Sequence, residues 1–338
     1  MLACLGDKRF STGETMRRRE FIALAGVVAA WPLAGHAQQT AMPVIGALNV
    51  TAGWPPDLGA ALRRGLAQEG YVEGKNLTIE YRDTNFRPEL LREAAREMVR
   101  RNVNVILAVN PEALAAASNA TTSIPIVGID LESDPLAKGY VKSLARPGGN
   151  MTGMFLDLPE LSGKQVGLLK EVVPRLSRLA IFGVPGLNAA QFTAAETAVR
   201  ALGLEAEIIE VLVAGDFYQA MESARAKHAE AGILLSSPLV FTSCKEIGSL
   251  ALDNRLPLIS LFAEFPKSGG LIAYGPNVAE IFRRSGEYVG KILHGAKPGD
   301  LPIQRPEKFD LVVNLKTAAT LGVDVPSQLQ QLADEVIE

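Results

Sequence analysis

Polar and aromatic side chains follow many of the short apolar segments of this sequence. In an open α/β sheet, ligands bind in the crevice beyond the carboxyl ends of the strands, so residues directly after each predicted strand are candidates for binding. We predict that a small-molecule ligand contacts Asn49, Thr51, Trp54, Asn110, Glu112, Asp130, Ser133, Asn188, Ser236, Ser237, Phe241, Phe262, Glu264 and Tyr274. The same rule selects Glu132 and Asp134, which lie beside Ser133 after the same predicted strand.

Several of these residues also have an ordinary structural explanation. Trp54 could face a ligand or cover the core of its own domain, since a large ring in a loop needs apolar contact. Ser133 and Asp134 precede a predicted helix, where they could cap the helix or help its N-terminus to hold a ligand carboxylate. Glu112 and Glu264 could each pair with a ligand ammonium or be solvated loop residues.

The sequence lacks the common signatures of catalysis. It contains no G-x-S-x-G, Walker or H-E-x-x-H motif, and no G-x-G-x-x-G after a predicted strand. None of the three histidines, His36, His228 and His294, lies where a general base is expected. The two cysteines, Cys4 and Cys244, give neither a disulfide framework nor a metal site. We therefore predict a binding protein rather than an enzyme, with no catalytic residue, metal or cofactor.

Strands and helices alternate along the chain. In the first half, the apolar patterns predict strands at 43–49, 77–81, 103–109, 124–129 and 150–155, and helices at 58–69, 89–101, 112–119 and 134–144. In the second half they predict strands at 178–184, 205–212, 232–236, 257–261, 270–275 and 309–314, and helices at 189–202, 216–230, 244–255, 278–294 and near the C-terminus. This alternation is typical of parallel sheets covered on both faces.

Length and composition indicate two globular domains. The 338 residues exceed the size at which one hydrophobic core stops growing. The chain is 48% hydrophobic and 21% charged with a net charge of -3, which excludes a disordered chain and gives no basic surface for nucleic acid. We predict an α/β protein of two doubly wound parallel-sheet lobes joined by a hinge, with lobe I at 42–155 and 276–300 and lobe II at 156–275 and 301–338.

The N-terminal region has the pattern of an export signal. Basic residues at 17–19 precede an apolar stretch at 23–33 and the small-residue sequence Ala34-Gly35-His36-Ala37, which predicts a signal region at 1–37 cleaved after Ala37. Met16 is the preferred start of translation. The apolar stretch is shorter than the roughly 20 residues of a membrane span, and Arg18-Arg19 leaves both the Sec and the twin-arginine routes open. We expect a periplasmic protein.

A set of short motifs resembles the ABC-type tryptophan/tyrosine substrate-binding protein family. The motifs occur in the family's order from about residue 43 to the C-terminus: 70–76 (GYVEGKN), 124–127 (IPIV), 134–135 (DP), 146–153 (RPGGNMTG), 269–275 (GGLIAYG) and 314–318 (NLKTA). The resemblance implies a type I periplasmic binding fold, three hinge crossings, closure of the lobes on ligand, and delivery of the ligand to an ABC permease with its ATPase.

The resemblance also implies where a ligand would bind. Members of the family with known ligands hold an amino acid through its carboxylate in the first lobe and its ammonium in the second, at loops that correspond to 49–54, 110–112 and 236–241. Two loops depart from the family: Val184-Pro185-Gly186 replaces its Asn-Pro, and 261–264 (LFAE) replaces a basic and acidic pair. These changes favour a more apolar ligand, such as an aromatic carboxylate or a branched amino acid.

We therefore predict a periplasmic solute-binding protein of an ABC importer that binds an amino acid or an aromatic or apolar carboxylate. Its expected partners are a small molecule, the permease and the ATPase, with peripheral contact to the membrane through the permease and no nucleic acid. A ligand-sensing subunit of a signalling receptor with the same fold is the alternative. An exported enzyme would need a catalytic cluster, and a transcription repressor would need a DNA-binding motif where the export signal lies.

Overall fold

The computed structural model describes residues 42–156 and 159–338. The predicted export signal, with its cleavage site at Ala37 and the preferred start at Met16, lies outside the described residues.

The first sheet is parallel throughout and comes from the first half of the chain. Its elements are β1 (Val44–Asn49), α1 (Pro56–Gln68), β2 (Thr78–Asp83), α2 (Pro88–Arg100), β3 (Val105–Val109), α3 (Pro111–Ala120), β4 (Ile126–Asp130) and β5 (Met151–Phe155). The strand order is β2-β1-β3-β4-β5, with Ile45 paired to Ile79 on one side and to Val105 on the other. The order reverses between β1 and β3, which is the position where open α/β sheets bind ligands.

The prediction of a helix at 134–144 is wrong. Residues 135–139 form a hydrogen-bonded turn, in which Lys138 N–H donates to the carbonyl of Asp134 and Tyr140 N–H donates to that of Pro135. Gly139 then adopts a left-handed φ of 70°, which ends the turn before a second one can form. Ser133 and Asp134 therefore lie in a loop rather than at a helix N-terminus.

The second sheet begins after β5. Its elements are α4 (Pro159–Val172), β6 (Arg178–Gly183), α5 (Ala189–Ala201), β7 (Glu205–Glu210), α6 (Asp216–Ala226), β8 (Ala231–Leu234), α7 (Pro238–Thr242), α8 (Cys244–Asp253), β9 (Leu258–Ser260), α9 (Glu264–Lys267) and β10 (Ile272–Pro276). After α10 (Val278–Leu293) and a 3-10 turn (Pro298–Asp300) come β11 (Phe309–Asn314), α11 (Leu315–Leu321), α12 (Ser327–Leu332) and β12 (Glu335–Ile337). Helices α4, α7 and α9 and strand β12 were not predicted, and two short helices, α11 and α12, replace the single helix predicted near the C-terminus.

One edge of the second sheet departs from the expected parallel arrangement. The strand order is β12-β11-β10-β9-β8-β6-β7, and β11 runs antiparallel to β10. A helix between two strands predicts that the strands are parallel neighbours. Here the helix in question, α10, packs on α1 of the first sheet and does not cover the second sheet. Strand β11 therefore enters its sheet from the other lobe, without the local crossover that makes neighbouring strands parallel.

Three connections join the sheets: from β5 to α4, from β10 to α10, and from Gln304 to β11. The residues before the third connection belong to the first sheet, since the amide of Phe155 donates to the carbonyl of Gln304 (2.9 Å) and Thr152 Oγ1 donates to that of Leu301 (2.8 Å). The sequence predicts residues 301–304 in lobe II, whereas these hydrogen bonds lead us to propose that lobe I extends to Gln304. The three connections stay a proposed hinge.

Candidate ligand-binding site

A cavity lies between the lobes, beyond the carboxyl ends of β1, β3 and β4 on one side and of β8 and β9 on the other. Its volume is about 70 Å³, several times the roughly 10–15 Å³ that one water needs on the same measure. The wall consists of Asn49, Thr51, Gly53, Trp54, Pro55, Leu58, Val109, Asn110, Ile129, Leu131, Glu132, Pro238, Phe241, Phe262, Val278 and Phe282. It can therefore hold a small molecule with a largely apolar body.

Aromatic rings form two faces of the cavity. From the first lobe, Trp54 meets Phe282 edge to face at a centroid distance of 5.2 Å, and its other side meets Tyr81 at 5.5 Å. From the second lobe, Phe241 and Phe262 meet at 5.0 Å. Trp54 thus serves both of the roles considered for it, because it packs on its own lobe and also lines the cavity. Its indole N–H is buried without an acceptor among the described residues.

An amide network shapes the polar part of the first lobe. Asn49 Nδ2 donates to Thr51 Oγ1 (2.6 Å) and to Asp83 Oδ1 (3.1 Å), while Asn49 Oδ1 accepts from Asn110 Nδ2 (3.1 Å). Asn110 has a φ of 80°, and its Oδ1 caps α3 by accepting from the amide of Ala113 (3.1 Å). These side chains follow β1 and β3 and hold the two loops together at the point where the strand order reverses.

Besides Asp83, three carboxyl groups lie beside this network, those of Asp130, Glu112 and Glu132. Asp130, at the end of β4, is fully buried, and its Oδ1 accepts from the amides of Glu132 and Ser133 at 2.9 Å each. Its Oδ2 has no hydrogen-bond partner among the described residues. Burial raises the pKa of Asp130 to about 6, although the two amide bonds oppose the shift. Burial also raises the pKa of Glu112.

Glu132 links the two lobes. Its Oε1 accepts from Ser236 Oγ (2.6 Å), which follows β8 in the second sheet, and its Oε2 accepts from the amide of Leu131 (3.3 Å). Burial and the nearby charge of Asp130 raise the pKa of Glu132 to about 8. Because Glu132 also lines the cavity, it is the one acidic side chain of the described wall that a ligand can touch directly.

The structure brings part of the predicted set into the cavity wall: Asn49, Thr51, Trp54, Asn110, Phe241 and Phe262. Others support the wall from behind. Asn188 Nδ2 donates to the carbonyl of Ser236 (2.7 Å), and Ser237 Oγ caps α7 by accepting from the amide of Val240 (3.1 Å). Asp130 and Ser133 lie behind Glu132 in the same way.

Three further predicted residues neither line the cavity nor lie directly behind its wall. Glu112 lines a neighbouring groove between the lobes, together with Ser237. Glu264 begins α9, where its Oε2 is buried without a partner among the described residues. Tyr274 stacks on Phe309 at 5.8 Å, and its hydroxyl accepts from Lys164 Nζ (2.6 Å), so it stabilises the region where the chain crosses between the lobes.

The predicted set of ligand contacts omits Glu132, although the strand-end rule selects it, and it omits the residues that α10 contributes. Glu132 carried the same signal as its neighbours, a polar side chain directly after a strand, and belonged with them in the predicted set. Val278 and Phe282 have the spacing of an ordinary buried helix face. No local pattern distinguishes such residues from core residues, because their place in the cavity depends on the crossing of α10 to the first lobe.

The sequence model of a family described as ABC transporter substrate binding protein matches residues 59–337. The chain belongs to this family. The resemblance inferred from the motifs is thereby confirmed, and with it the prediction of a binding protein rather than an enzyme. Across the described ranges, no helix of this substrate-binding protein is long and apolar enough to cross a membrane.

Individual relatives agree with the family assignment. The chain is 24% identical over 264 residues to a tyrosine-binding protein of Clostridioides difficile, covering 77% of this chain and 75% of the relative. A conserved domain protein from Vibrio cholerae is similar in structure, with a TM-score of 0.80, 25% identity, and coverage of 87% of this chain and 99% of that one. An ABC domain from Streptococcus pneumoniae in complex with L-Trp has a TM-score of 0.79 at 21% identity, with the same coverage. These likenesses confirm the two-lobed type I periplasmic fold.

Proposed function

We propose that this protein is the solute-binding subunit of an ABC importer, exported to the periplasm, and that its lobes close on an apolar or aromatic amino acid or a related compound. The observation that carries the proposal is the cavity itself, in which rings from both lobes, Trp54 and Phe282 opposite Phe241 and Phe262, surround a small space. A ligand that touches both faces favours the closed arrangement by its contacts in that state. A permease and an ATPase are the proposed partners.

The proposed ligand class follows from the chemistry of the wall. Its rings and aliphatic side chains match a ring-bearing or branched body, and Glu132 matches an ammonium group. The ligands named for two similar proteins, tyrosine and L-Trp, belong to the same class. The acids lie on the first lobe, so we propose that the ammonium binds there, which is the reverse of the arrangement expected from the family's motif neighbourhoods.

A thermal-shift screen of the purified protein tests the proposal. The panel contains aromatic and branched amino acids, aromatic carboxylates, nucleosides, polyamines and sugars. We expect a saturable rise in melting temperature with ring-bearing or branched amino acids and no turnover of the compound that binds. A ligand at a hundred times its Kd stabilises the folded state by about 2.7 kcal/mol. Binding of sugars or polyamines alone, or turnover of the bound compound, contradicts the proposal.

A matched pair of variants ties the binding to the cavity. Phe241→Ala removes a ring from the wall, and we expect it to abolish most of the ligand-induced shift. Tyr218→Ala removes a ring of similar size from the outside of the same lobe, where 63% of the residue is exposed, and we expect an unchanged shift. Equal effects of the two changes would mean that the ligand binds elsewhere. Loss of uptake of the same compound in a strain without the protein tests the importer.

A further inference from the structure

The described charged side chains at the cavity are all acidic. None of the described residues in its wall is Lys, Arg or His, whereas Glu132 lies in the wall with Asp130 and Glu112 close behind it. Asp130 is fully buried and keeps one carboxyl oxygen without any hydrogen-bond partner among the described residues. A buried carboxylate needs a positive partner or a proton, so the site has a place for a cation. No acidic cluster in the described part of the chain has the arrangement of a metal site.

Most side-chain hydrogen-bond donors of the described wall already donate within the protein. Both N–H groups of Asn49 donate within the first lobe, and Thr51 Oγ1 donates to the carbonyl of Gly53 (2.9 Å). Ser236 Oγ donates to Glu132. Trp54 Nε1 is an unpaired donor, and Asn110 Nδ2 has one N–H beyond its bond to Asn49. Both groups are neutral, however, and a neutral N–H binds a carboxylate more weakly than a cation does.

The N-terminus of α3 offers no free place for an anion either. Its amides point toward the cleft, which in other proteins often attracts a carboxylate. Here Asn110 Oδ1 already accepts from the amide of Ala113, and Glu112 contributes a negative charge in the first turn. An incoming carboxylate would displace the cap and meet a like charge. This end of the helix is therefore complete without a ligand.

The aromatic wall favours a cation as well. The faces of Trp and Phe rings attract ammonium groups through their quadrupoles, and this attraction is stronger where water is excluded. Four rings border the cavity into which Glu132 projects: Trp54, Phe282, Phe241 and Phe262. Rings and one carboxylate together match a molecule that has an apolar ring, a short chain and a terminal ammonium.

From these features we propose that the cavity selects an aromatic amine, an apolar ring with an ammonium group and no carboxylate, over the corresponding amino acid. Glu132 accepts hydrogen bonds from the ammonium, and the rings surround the apolar body. Asp130 acts as a positioning residue, because its Oδ1 holds the amides of Glu132 and Ser133. The inference rests on the proposed function and narrows the ligand class of the same site.

Three compounds that share a phenyl ring but differ in charged groups test this selectivity. 2-Phenylethylamine has an ammonium, L-phenylalanine has an ammonium and a carboxylate, and 3-phenylpropionate has a carboxylate only. Calorimetric titration of the full chain at a pH of about 8.5 keeps the amine protonated and favours ionised carboxyl groups. We expect the amine to bind at least about tenfold more tightly than phenylalanine, because the described wall has no cationic side chain and few free N–H groups to replace the hydration of the carboxylate. We expect no binding of the propionate.

Variants at two glutamates test the role assigned to Glu132. Glu132→Gln keeps an acceptor for Ser236 but removes the charge, and we expect it to weaken amine binding at least about tenfold, since a charged acceptor binds an ammonium more strongly. Glu93→Gln makes the same change on α2 of the same lobe, where Glu93 pairs only with the exposed Arg100 among the described residues, and we expect unchanged affinity. Circular dichroism establishes that both variants are folded.

The outcomes separate this inference from the proposed function. Phenylalanine binding as tightly as the amine, or more tightly, overturns the inference and leaves an amino-acid-binding protein. Amine binding that survives Glu132→Gln also overturns it, because the selected cation would then have another partner. If none of the three compounds binds while branched amino acids do, the inference fails and the proposed function stands. If the whole panel fails to bind, both fail.

Discussion

At the scale of single residues, burial and a neighbouring carboxyl group disfavour the negative charge of Glu132. Its carboxyl group lies among Asp130, Glu112 and Ser236, and no cation of the described residues offsets it. In the ligand-free protein the least costly solution is a proton, which is why the pKa of Glu132 rises to about 8. A bound cation would take the place of that proton, so the same group would couple ligand binding to proton release.

This coupling predicts how stability depends on pH. Glu132 and Asp130 hold their protons in the folded state up to about pH 8 and 6, whereas in the unfolded chain they lose them near their ordinary values of 4.5 and 3.8. The folded state therefore binds more protons in this range, and the free energy of unfolding of the ligand-free protein falls as pH rises from about 5 to 8. Urea denaturation at several pH values measures this fall.

The variant Glu132→Gln tests whether Glu132 causes this pH dependence of stability. Glu132→Gln cannot titrate, so its unfolding free energy should fall less steeply between pH 6 and 8. Besides Asp130 and Glu112, Tyr140 faces this cluster, and its pKa is raised by burial first and by Asp130 second, so it stays neutral over the range. Identical pH slopes for the variant and the natural protein would show that Glu132 is not the titrating group.

At the scale of elements, the packing of α10 on α1 positions the cavity. The helices approach so closely that a Cβ at Gly65 would lie well inside contact distance of the Arg283 carbonyl, and a Cβ at Gly286 would meet the carbonyl of Leu62. This close approach brings α10 back from the second sheet to the first. It thereby sets Val278 and Phe282 beside Trp54 in the wall.

Gly65→Ala should therefore destabilise the protein by about 1–3 kcal/mol, since the added methyl forces backbone apart. It should also weaken ligand binding, because Phe282 moves with α10. Gly59→Ala in the same helix is the control: its Cβ would meet only the flexible end of Arg63, and alanine is favoured over glycine in a helix interior by about 0.5–1 kcal/mol. Chemical denaturation measures the unfolding free energy of both variants. An unchanged value for Gly65→Ala would contradict the close packing of α10 on α1.

At the scale of the whole molecule, a hydrogen bond and apolar contacts join the two lobes. Ser236 and Glu132 lie 104 positions apart in sequence and make one such hydrogen bond. Apolar residues of both lobes also form one continuous cluster, which includes Ile129 from β4 and Phe262 after β9. The two lobes are therefore in contact in the described conformation, and the proposed opening would separate the two halves of the cavity.

Ser236→Ala should shift the ligand-free protein toward an open state. The change removes the cross-lobe donor and leaves Glu132 Oε1 unpaired in the closed state, which costs about 1 kcal/mol, or roughly fivefold in population. Small-angle X-ray scattering should show a larger radius of gyration for the ligand-free variant, with recovery on adding ligand. Ser249→Ala, an exposed change on α8 of the same lobe, should leave the scattering unchanged. An unaltered radius for Ser236→Ala would show that other contacts hold the lobes closed.

The sequence by itself determined most of the elements and part of the candidate site. Alternating apolar segments and amphipathic helices are local patterns, so β1 to β11 and most of the helices could be predicted. Because strand ends are local too, Asn49, Asn110 and Phe262 were found by their position after a strand. The helix at 134–144 failed for a local reason, the left-handed φ of Gly139, which outweighed the polar pattern of a helix.

Only the tertiary structure decided what depends on distant parts of the chain. The crossing of α10 to the first lobe made β11 antiparallel to β10 and brought Phe282 into the wall, and neither follows from a pattern within a helix or strand. The raised pKa of Glu132 likewise requires burial by both lobes and a neighbour in space. Such properties arise from the desolvation and contacts that closure creates, so they could not be inferred from residue types and spacing.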